Sequence, residues 1–141
     1  MVTSRQKTLV QESFSSIEPI FEDVTALFYR RVFELDPAAR RLFPQDMSAQ
    51  YRKVAHILTA AVKGLDHLDQ LVPVLRDLGR RHAAYGVTQS HYDTGGAALL
   101  WTLEKGLGSA FTPELKDAWA TVYALLVKVM QDAVPMETAA A

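Results

Sequence analysis

The chain of 141 residues contains no cysteine. Without thiols it forms no disulfides, thiolate metal sites or cysteine nucleophile, and such a composition fits a reducing compartment. No segment approaches the ~18 consecutive apolar residues that a membrane-spanning helix requires. The N-terminal stretch MVTSRQKTLVQESF has no continuous apolar core, so we expect no signal peptide. Together these absences predict a cytoplasmic protein.

The chain also has little net charge. Fifteen lysines and arginines against sixteen aspartates and glutamates give a formal charge of −1, and the isoelectric point is near 6.4. No global field therefore attracts nucleic acid or anionic lipid, and we expect neither as a partner. The basic residues come largely in pairs, which is typical of solvated helix faces. These pairs are Arg30–Arg31, Arg40–Arg41, Arg52–Lys53 and Arg80–Arg81.

Several common functional motifs are missing as well. The sequence has no phosphate-binding glycine loop, no zinc-ligand spacing and no nucleophile elbow. Gly95 and Gly96 lie inside a helical pattern, which indicates close helix packing rather than a ligand-binding loop. Hydrophobic residues make up 49% and charged residues 22% of the chain, as in a single globular domain with one core.

Apolar residues recur at helical spacing along almost the whole chain, and no segment alternates with period two for long enough to form a strand. Proline, glycine and capping residues divide this pattern into six long or moderate helices and one or two short ones. We therefore predict an all-α domain over residues 1–134, followed by a frayed tail over residues 135–141. The expected N-caps are Ser4, Asp36, Ser48, Ser90 and Thr112.

A histidine occupies one position of an otherwise apolar helical stripe, which consists of Leu71, Leu75, Leu78 and His82. A histidine on such a face is commonly a core residue bonded to a carbonyl, so this interpretation stands beside that of a metal ligand. Arg81 could meet anionic groups at a pocket rim, and the turn at Gly86 could place Val87 beside the imidazole. For His56, His67 and His91 we expect surface or capping roles.

Tyr29 and Gln50 form a second candidate pair. Tyr29 lies on a mostly apolar helix face, so its hydroxyl needs a partner if it is buried. Gln50 lies in the first turn of a helix, one turn before Val54. A phenol and an amide in one pocket could donate hydrogen bonds to a ligand, or could simply bond to each other. The residues leave both possibilities open.

Several motifs in this order resemble those of the bacterial single-domain globins, close to the haem domain of flavohaemoglobins and to the Hell's Gate-type globin. The resemblance covers nearly the whole chain. It rests on LFYRRVFELDP (Leu27–Pro37), Leu42–Phe43, Gln50, GRRHAAYGV (Gly79–Val87), SHY (Ser90–Tyr92) and AWATVYALL (Ala118–Leu126). The resemblance implies a globin fold of six to eight helices around a haem pocket.

The resemblance also implies roles for individual residues. His82 would bind the iron of haem b as the proximal metal ligand. The other residues implied to contact the haem are Phe43 and Val54 on the distal side, and Arg81, Val87 and Tyr92 on the proximal side. Arg81 would pair with a haem propionate, although a solvated arginine is an almost equal alternative.

The implied function is reversible O2 binding, with Tyr29 and Gln50 as distal hydrogen-bond donors and catalytic residues. The resemblance also implies dioxygenation of NO to nitrate, with O2 and NO as ligands. Because 141 residues leave no room for a flavin and NAD reductase beside the globin, we expect a separate electron-donating reductase. We expect a monomer or a weak dimer.

The chain departs from the family at one position. In the family, a tyrosine matching Tyr92 and a glutamate on the last helix make the proximal histidine more electron-donating. Counted from Trp119, the glutamate position falls on Val134, and Asp132 lies about 200° around the helix from it. This favours ligand binding over peroxidase-like chemistry.

Two alternatives from other classes remain. One is oxygen storage, oxygen delivery or gas sensing without turnover. The other is a haem-free helical bundle, in which Tyr29, Gln50, His82 and Tyr92 would be costly to bury without a ligand.

Overall fold

The structure is a computed structural model that describes residues 2–134. The predicted tail over residues 135–141 lies outside the described residues. Within the described range every regular element is helical, so the all-α prediction is confirmed. The six α-helices are α1 (Ser4–Ile17), α2 (Phe21–Leu35), α3 (Ser48–Lys63), α4 (Leu68–Ala84), α5 (Gln89–Leu107) and α6 (Pro113–Asp132).

Short 3₁₀ helices join most of the α-helices. They span Glu18–Ile20, Pro37–Leu42, Leu65–His67 and Gly108–Ala110, so the described part of the chain has more short helices than the one or two predicted. None of the helices in this part combines the length and apolar character needed to cross a membrane.

Two of the predicted N-caps are one or two residues too late. Thr3, not Ser4, caps α1, because its hydroxyl accepts a hydrogen bond from the Gln6 amide at 3.1 Å. Thr88, not Ser90, precedes α5, and its amide in turn donates to His91 Nδ1 at 3.0 Å. In both helices the backbone amide of the capping threonine donates a hydrogen bond to the side chain three residues later.

Of the other capping predictions, the cap position of Asp36 is confirmed and that of Ser48 is wrong. Asp36 precedes the 3₁₀ helix Pro37–Leu42, but its side chain makes no capping hydrogen bond. Ser48 is the first residue of α3, and its amide donates to Asp46 Oδ1 at 3.0 Å. The prediction for Thr112 is confirmed, because its hydroxyl accepts from the Leu115 amide at 3.2 Å.

The helices surround one main apolar core. Helix α4 packs on α6, α2 packs on α5 and α3, and α1 packs on α6. The largest fully buried side chains include Phe14, Leu65 and Leu103. Trp119 is also buried, and its indole N–H donates to Ser13 Oγ at 3.0 Å.

Glycines allow α6 to approach its neighbours closely. A Cβ atom built on Gly79 in α4 would lie 2.1 Å from the Met130 carbonyl oxygen, so only glycine permits this crossing. In α5, a Cβ atom on Gly95 would lie 2.8 Å from the Tyr123 hydroxyl oxygen, and one on Gly96 would lie 2.9 Å from a carbon of the Tyr123 ring. The prediction that this glycine pair marks close packing is confirmed.

Candidate functional site

A cavity of about 470 Å³ lies between α2, α3 and the Pro37–Leu42 helix on one side and α4, α5 and α6 on the other. Its volume falls in the usual range for small-molecule and cofactor sites. All eight residues singled out from the sequence line it. These are Tyr29, Phe43, Gln50, Val54, Arg81, His82, Val87 and Tyr92.

His82 lies in the last turn of α4 with its Nδ1 atom 2.8 Å from the Leu78 carbonyl oxygen. A carbonyl only accepts hydrogen bonds, so Nδ1 carries the hydrogen and Nε2 keeps its lone pair. Nε2 makes no hydrogen bond within residues 2–134. The histidine therefore has the carbonyl partner expected of a core residue, and it also has the free nitrogen expected of a metal ligand.

The surroundings keep this imidazole neutral. Burial lowers the pKa of His82 below its ordinary value of 6.5, and the nearby charge of Lys53 acts in the same direction. The bond to the Leu78 carbonyl opposes this effect but does not reverse it. A neutral imidazole with an unshared lone pair is the form that binds metals.

The Tyr92 ring lies beside the imidazole. The two ring centres are 6.0 Å apart and their planes differ by 16°. Behind Tyr92, the Tyr123 hydroxyl donates to the Tyr92 carbonyl oxygen at 2.7 Å. Burial raises the pKa of both phenols. Both therefore remain protonated at neutral pH.

Arg81 and Val87 lie at the edges of the same region. The Arg81 guanidinium pairs with Asp77 at 2.9 Å on the exposed side of α4. The chain then turns at Gly86, whose φ is 89°, and the Val87 amide donates to the His82 carbonyl at 2.9 Å. The turn brings Val87 to the wall of the cavity that His82 also lines.

Tyr29 and Gln50 meet on the opposite wall, where the Gln50 amide nitrogen donates to the Tyr29 hydroxyl oxygen at 3.0 Å. Because the amide is the donor, the hydrogen of the Tyr29 hydroxyl is left for another acceptor. Burial raises the pKa of Tyr29, with the Gln50 bond acting against it. The structure thus contains the Tyr29–Gln50 hydrogen bond, and the Tyr29 hydroxyl still has a hydrogen that it could donate to a ligand.

Aromatic rings surround the Tyr29 phenol. Phe43 meets it edge to face at 5.2 Å between ring centres, and Phe28 does so at 5.1 Å. Phe33 and Tyr51 lie at 6.0 and 5.9 Å. The hydroxyl therefore lies in surroundings of low dielectric, where a hydrogen bond to a ligand is strengthened.

Several residues of the cavity wall were not predicted from the sequence. His91 and Asp36 both line it, and His91 Nε2 lies 3.8 Å from Asp36 Oδ2. The capping role expected of His91 is observed, and the Thr88-x-x-His91 spacing was the available signal. Lys53 also lines the wall, whereas the exposed His56 and His67 do not.

No acidic residue of α6 faces the cavity among the described residues. Asp132 is exposed and pairs with Lys128 at 3.3 Å. Val134 follows the end of α6, and neither residue lines the cavity. The α6 wall consists instead of Tyr123, Leu126, Val127 and Met130.

Comparisons with known proteins show which proteins the chain is similar to. The sequence pattern of the family described as Globin matches residues 26–130. Neuroglobin of Danio rerio is 33% identical over 92% of this chain and 90% of its own length. The flavohemoprotein of Bacillus subtilis is 26% identical over 89% of this chain, which spans 32% of that longer protein.

One solved structure extends the likeness to three dimensions. It is an engineered carbene transferase, a variant of a proposed nitric oxide dioxygenase of Rhodothermus marinus. Its TM-score is 0.85 at 26% identity, with coverage of 94% of this chain and 92% of the other. The resemblance inferred from the motifs and the predicted globin fold are thus confirmed.

Proposed function

The chain belongs to the globin family, and from that premise we propose that it is a cytoplasmic haem-b globin that binds O2 reversibly and converts NO to nitrate with a separate reductase. The observation that carries the proposal is the pairing of two groups in one cavity. One is a neutral His82 with a free Nε2, and the other is a Tyr29 hydroxyl that keeps its hydrogen.

The residues of the cavity fit a haem. Its wall is mostly apolar, its volume is about 470 Å³, and His82 offers the nitrogen that haem iron takes as an axial ligand. His82 would hold the iron, Phe43 and Val54 would contact the macrocycle, and Val87 would pack beside the proximal ligand. Arg81, at the cavity edge, could exchange Asp77 for a propionate. When bound, haem supplies an iron that binds diatomic gases.

The distal residues would then orient and retain the gas. The Tyr29 hydroxyl donates a hydrogen bond to the ligand, while Gln50 holds the hydroxyl from its other side. Such a fixed donor in a dry site stabilises negative charge that develops on O2 better than water does. The aromatic shell around Tyr29 excludes water from this half of the cavity.

Conversion of NO is supported by the relatives. The Rhodothermus marinus structure is that of a variant of a proposed nitric oxide dioxygenase, and a flavohemoprotein matches the chain over part of its own length. Joining NO and O2 into nitrate consumes one electron for each NO, and a separate reductase would supply it. O2 and NO are the proposed ligands, and the protein acts as a monomer or a weak dimer.

A second candidate function is oxygen storage, delivery or sensing without turnover. The absence of an acid from the described α6 wall favours it, because the proximal histidine then lacks the partner that would make it more electron-donating. The two functions share the same site, and only turnover separates them.

The first test is the absorption spectrum of the purified protein after addition of haem. Reduction with dithionite followed by O2 should give a sharp Soret band that shifts on oxygenation. His82→Ala should lose this spectrum, and His56→Ala, at an exposed position of α3, should keep it. Absence of a specific spectrum in the wild type would leave the haem-free bundle as the interpretation.

Nitrate yield separates turnover from storage. The oxygenated protein is mixed with NO in the presence of excess O2, with and without a ferredoxin reductase system as electron donor. Dioxygenase function predicts about one nitrate per haem without the reductant and many with it. A gas-storage or sensing protein would form no more than one nitrate per haem, whether or not the reductant is present.

A further inference from the structure

The loop after the 3₁₀ helix Pro37–Leu42 carries two residues of the cavity wall, Phe43 and Pro44. This loop runs from Phe43 to Met47 and contains no helix. The Met47 carbonyl accepts from an amide of α3, but the other carbonyls of the loop have no helical partner among the described residues, and their hydrogen bonds must come from elsewhere. The position of this part of the cavity wall therefore depends on the groups that donate hydrogen bonds to these carbonyls.

The Arg40 side chain supplies three of these bonds. Its guanidinium donates to the Phe43 carbonyl at 3.3 Å, to the Pro44 carbonyl at 2.8 Å and to the Gln45 carbonyl at 2.9 Å. The planar guanidinium has several N–H groups in a rigid fork, which suits it to adjacent carbonyls. The group also lies over the Phe33 ring, 5.3 Å from its centre.

Contacts lead from this loop to the Tyr29 hydroxyl. Phe43 packs edge to face on Tyr29 at 5.2 Å and on Phe33 at 5.7 Å. Phe33 contacts both groups: the Arg40 guanidinium lies over its ring, and its ring centre is 6.0 Å from that of Tyr29. A shift of the loop would therefore change the packing of the phenol whose hydroxyl meets Gln50.

We propose that Arg40 is a positioning residue of the gas-binding site. It holds the Phe43–Gln45 backbone, and through the Phe43 ring it fixes the Tyr29 hydroxyl at the place where a gas ligand is held. This inference rests on the proposed function for the roles of Tyr29 and His82.

The adjacent Arg41 offers a matched control. It lies in the same 3₁₀ helix and is exposed, and it makes no hydrogen bond or ion pair within residues 2–134. Arg41→Gln and Arg40→Gln remove the same charge one residue apart, so a difference between them reports the hydrogen bonds of Arg40. Arg40→Lys keeps the charge but presents a single ammonium group, and we expect it to fall between Arg40→Gln and the wild type.

The test has one readout without haem and two with it. Hydrogen exchange of the Phe43–Met47 segment in the haem-free protein reports whether Arg40 holds the loop. In the haem-loaded protein, the infrared stretching frequency of bound carbon monoxide reports the Tyr29 donor, and stopped-flow mixing gives the O2 release rate. We expect faster exchange, a shifted carbon monoxide band and O2 release about 3- to 30-fold faster in Arg40→Gln, as for displacement of a positioned group by a remote change.

Each outcome has a definite meaning. Faster loop exchange with an unchanged carbon monoxide band and unchanged O2 release would overturn the proposal, because Arg40 would then serve the loop alone. Equal effects of Arg41→Gln and Arg40→Gln would also overturn it. If Arg40→Gln does not fold, Arg40→Lys provides the same comparison. If the wild type binds no haem, the proposed function fails. Hydrogen exchange of the loop still tests whether Arg40 holds the Phe43–Gln45 backbone.

Discussion

Tyr29 is the residue on which gas retention depends in the proposed site. It is 6% exposed, and Gln50 occupies its oxygen as an acceptor while its hydrogen remains free. The raised pKa keeps this hydrogen on the oxygen at neutral and moderately alkaline pH. Its contribution therefore needs no change of protonation.

Tyr29→Phe should release O2 faster than the wild type. Removal of one hydrogen bond to a charge-bearing acceptor costs about 1.5–3 kcal/mol, which corresponds to about a 10- to 150-fold change. Stopped-flow measurement of O2 dissociation tests this. Tyr51→Phe is the matched control, since its ring lies 5.9 Å from Tyr29 but does not line the cavity. An unchanged rate in Tyr29→Phe would contradict the distal assignment.

His82 should make the stability of the haem-free protein depend on pH. Its pKa is lower in the folded protein than its ordinary value of 6.5, chiefly because of burial. Below pH 6.5 the unfolded chain therefore takes up a proton more readily than the folded chain, and the free energy of unfolding falls as the pH falls. Above this pH both states hold the neutral ring and the contribution is constant.

Urea denaturation of the haem-free protein between pH 5 and pH 8 measures this effect. His82→Leu should lose the part of the pH dependence that lies below about pH 6.5, whereas His56→Gln, at an exposed position, should retain it. Equal profiles for the wild type and His82→Leu would show that the imidazole is not held in its neutral form by the fold.

At the scale of elements, the contact between α4 and α6 depends on the absence of a side chain at one point. Gly79 faces the Met130 backbone, and a Cβ there would lie 2.1 to 2.7 Å from three backbone atoms. Backbone cannot move aside as a flexible side chain can. Helix α4 also carries His82, so this crossing helps to place the proximal wall.

Gly79→Ala should therefore destabilise the protein by about 1–3 kcal/mol or more, as overpacking of a dense core does. Gly106→Ala in α5 is the opposite case, because its Cβ would meet only Ile17 Cγ2 at 3.7 Å. There we expect a gain of about 0.5–1 kcal/mol from the higher helix propensity of alanine. Urea midpoints of the two variants measure the difference, and equal midpoints would contradict this account of the crossing.

At the scale of the whole molecule, the cavity is the part of the fold that a ligand would complete. It takes side chains from α2 to α6 and the Pro37–Leu42 helix. A ligand bound there contacts elements that are distant in sequence, so its binding energy should stabilise the entire domain rather than one helix.

Bound haem should therefore raise the free energy of unfolding of the whole domain. A ligand that binds only the folded state contributes about 2.7 kcal/mol at a free concentration of 100 times Kd and about 4.1 kcal/mol at 1,000 times Kd. Thermal unfolding followed by far-ultraviolet circular dichroism, with and without haem, measures the shift. In His82→Ala the shift should shrink, and a full shift in that variant would mean that another group holds the haem.

Three residues of the proposed site stand out in the sequence because each breaks a local pattern. An imidazole in a leucine stripe, a phenol on an apolar helix face and an amide in a first turn are all visible at helical spacing. The glycine pair Gly95–Gly96 was visible for the same reason. All eight predicted residues line one cavity, although spacing within single helices does not show that they meet.

Local patterns were less informative for the caps and for contacts across elements. Thr3 and Thr88 cap α1 and α5 in place of Ser4 and Ser90, because adjacent hydroxyl residues present the same signal and backbone geometry selects between them. The role of Arg40 could not be read either. Its sequence signal is that of any basic pair, and its three carbonyl partners become visible only once the loop has a shape.

The sequence thus determined the all-α class, the helices and the polar residues on their apolar faces, since these depend on periodicity and composition alone. Tertiary packing decided that the Gln50 amide donates to the Tyr29 hydroxyl, that Tyr29 and His82 line one cavity and that α6 presents no acid to the cavity among the described residues. The reason is that hydrogen-bond direction and a shared cavity arise only when helices far apart in the chain come together.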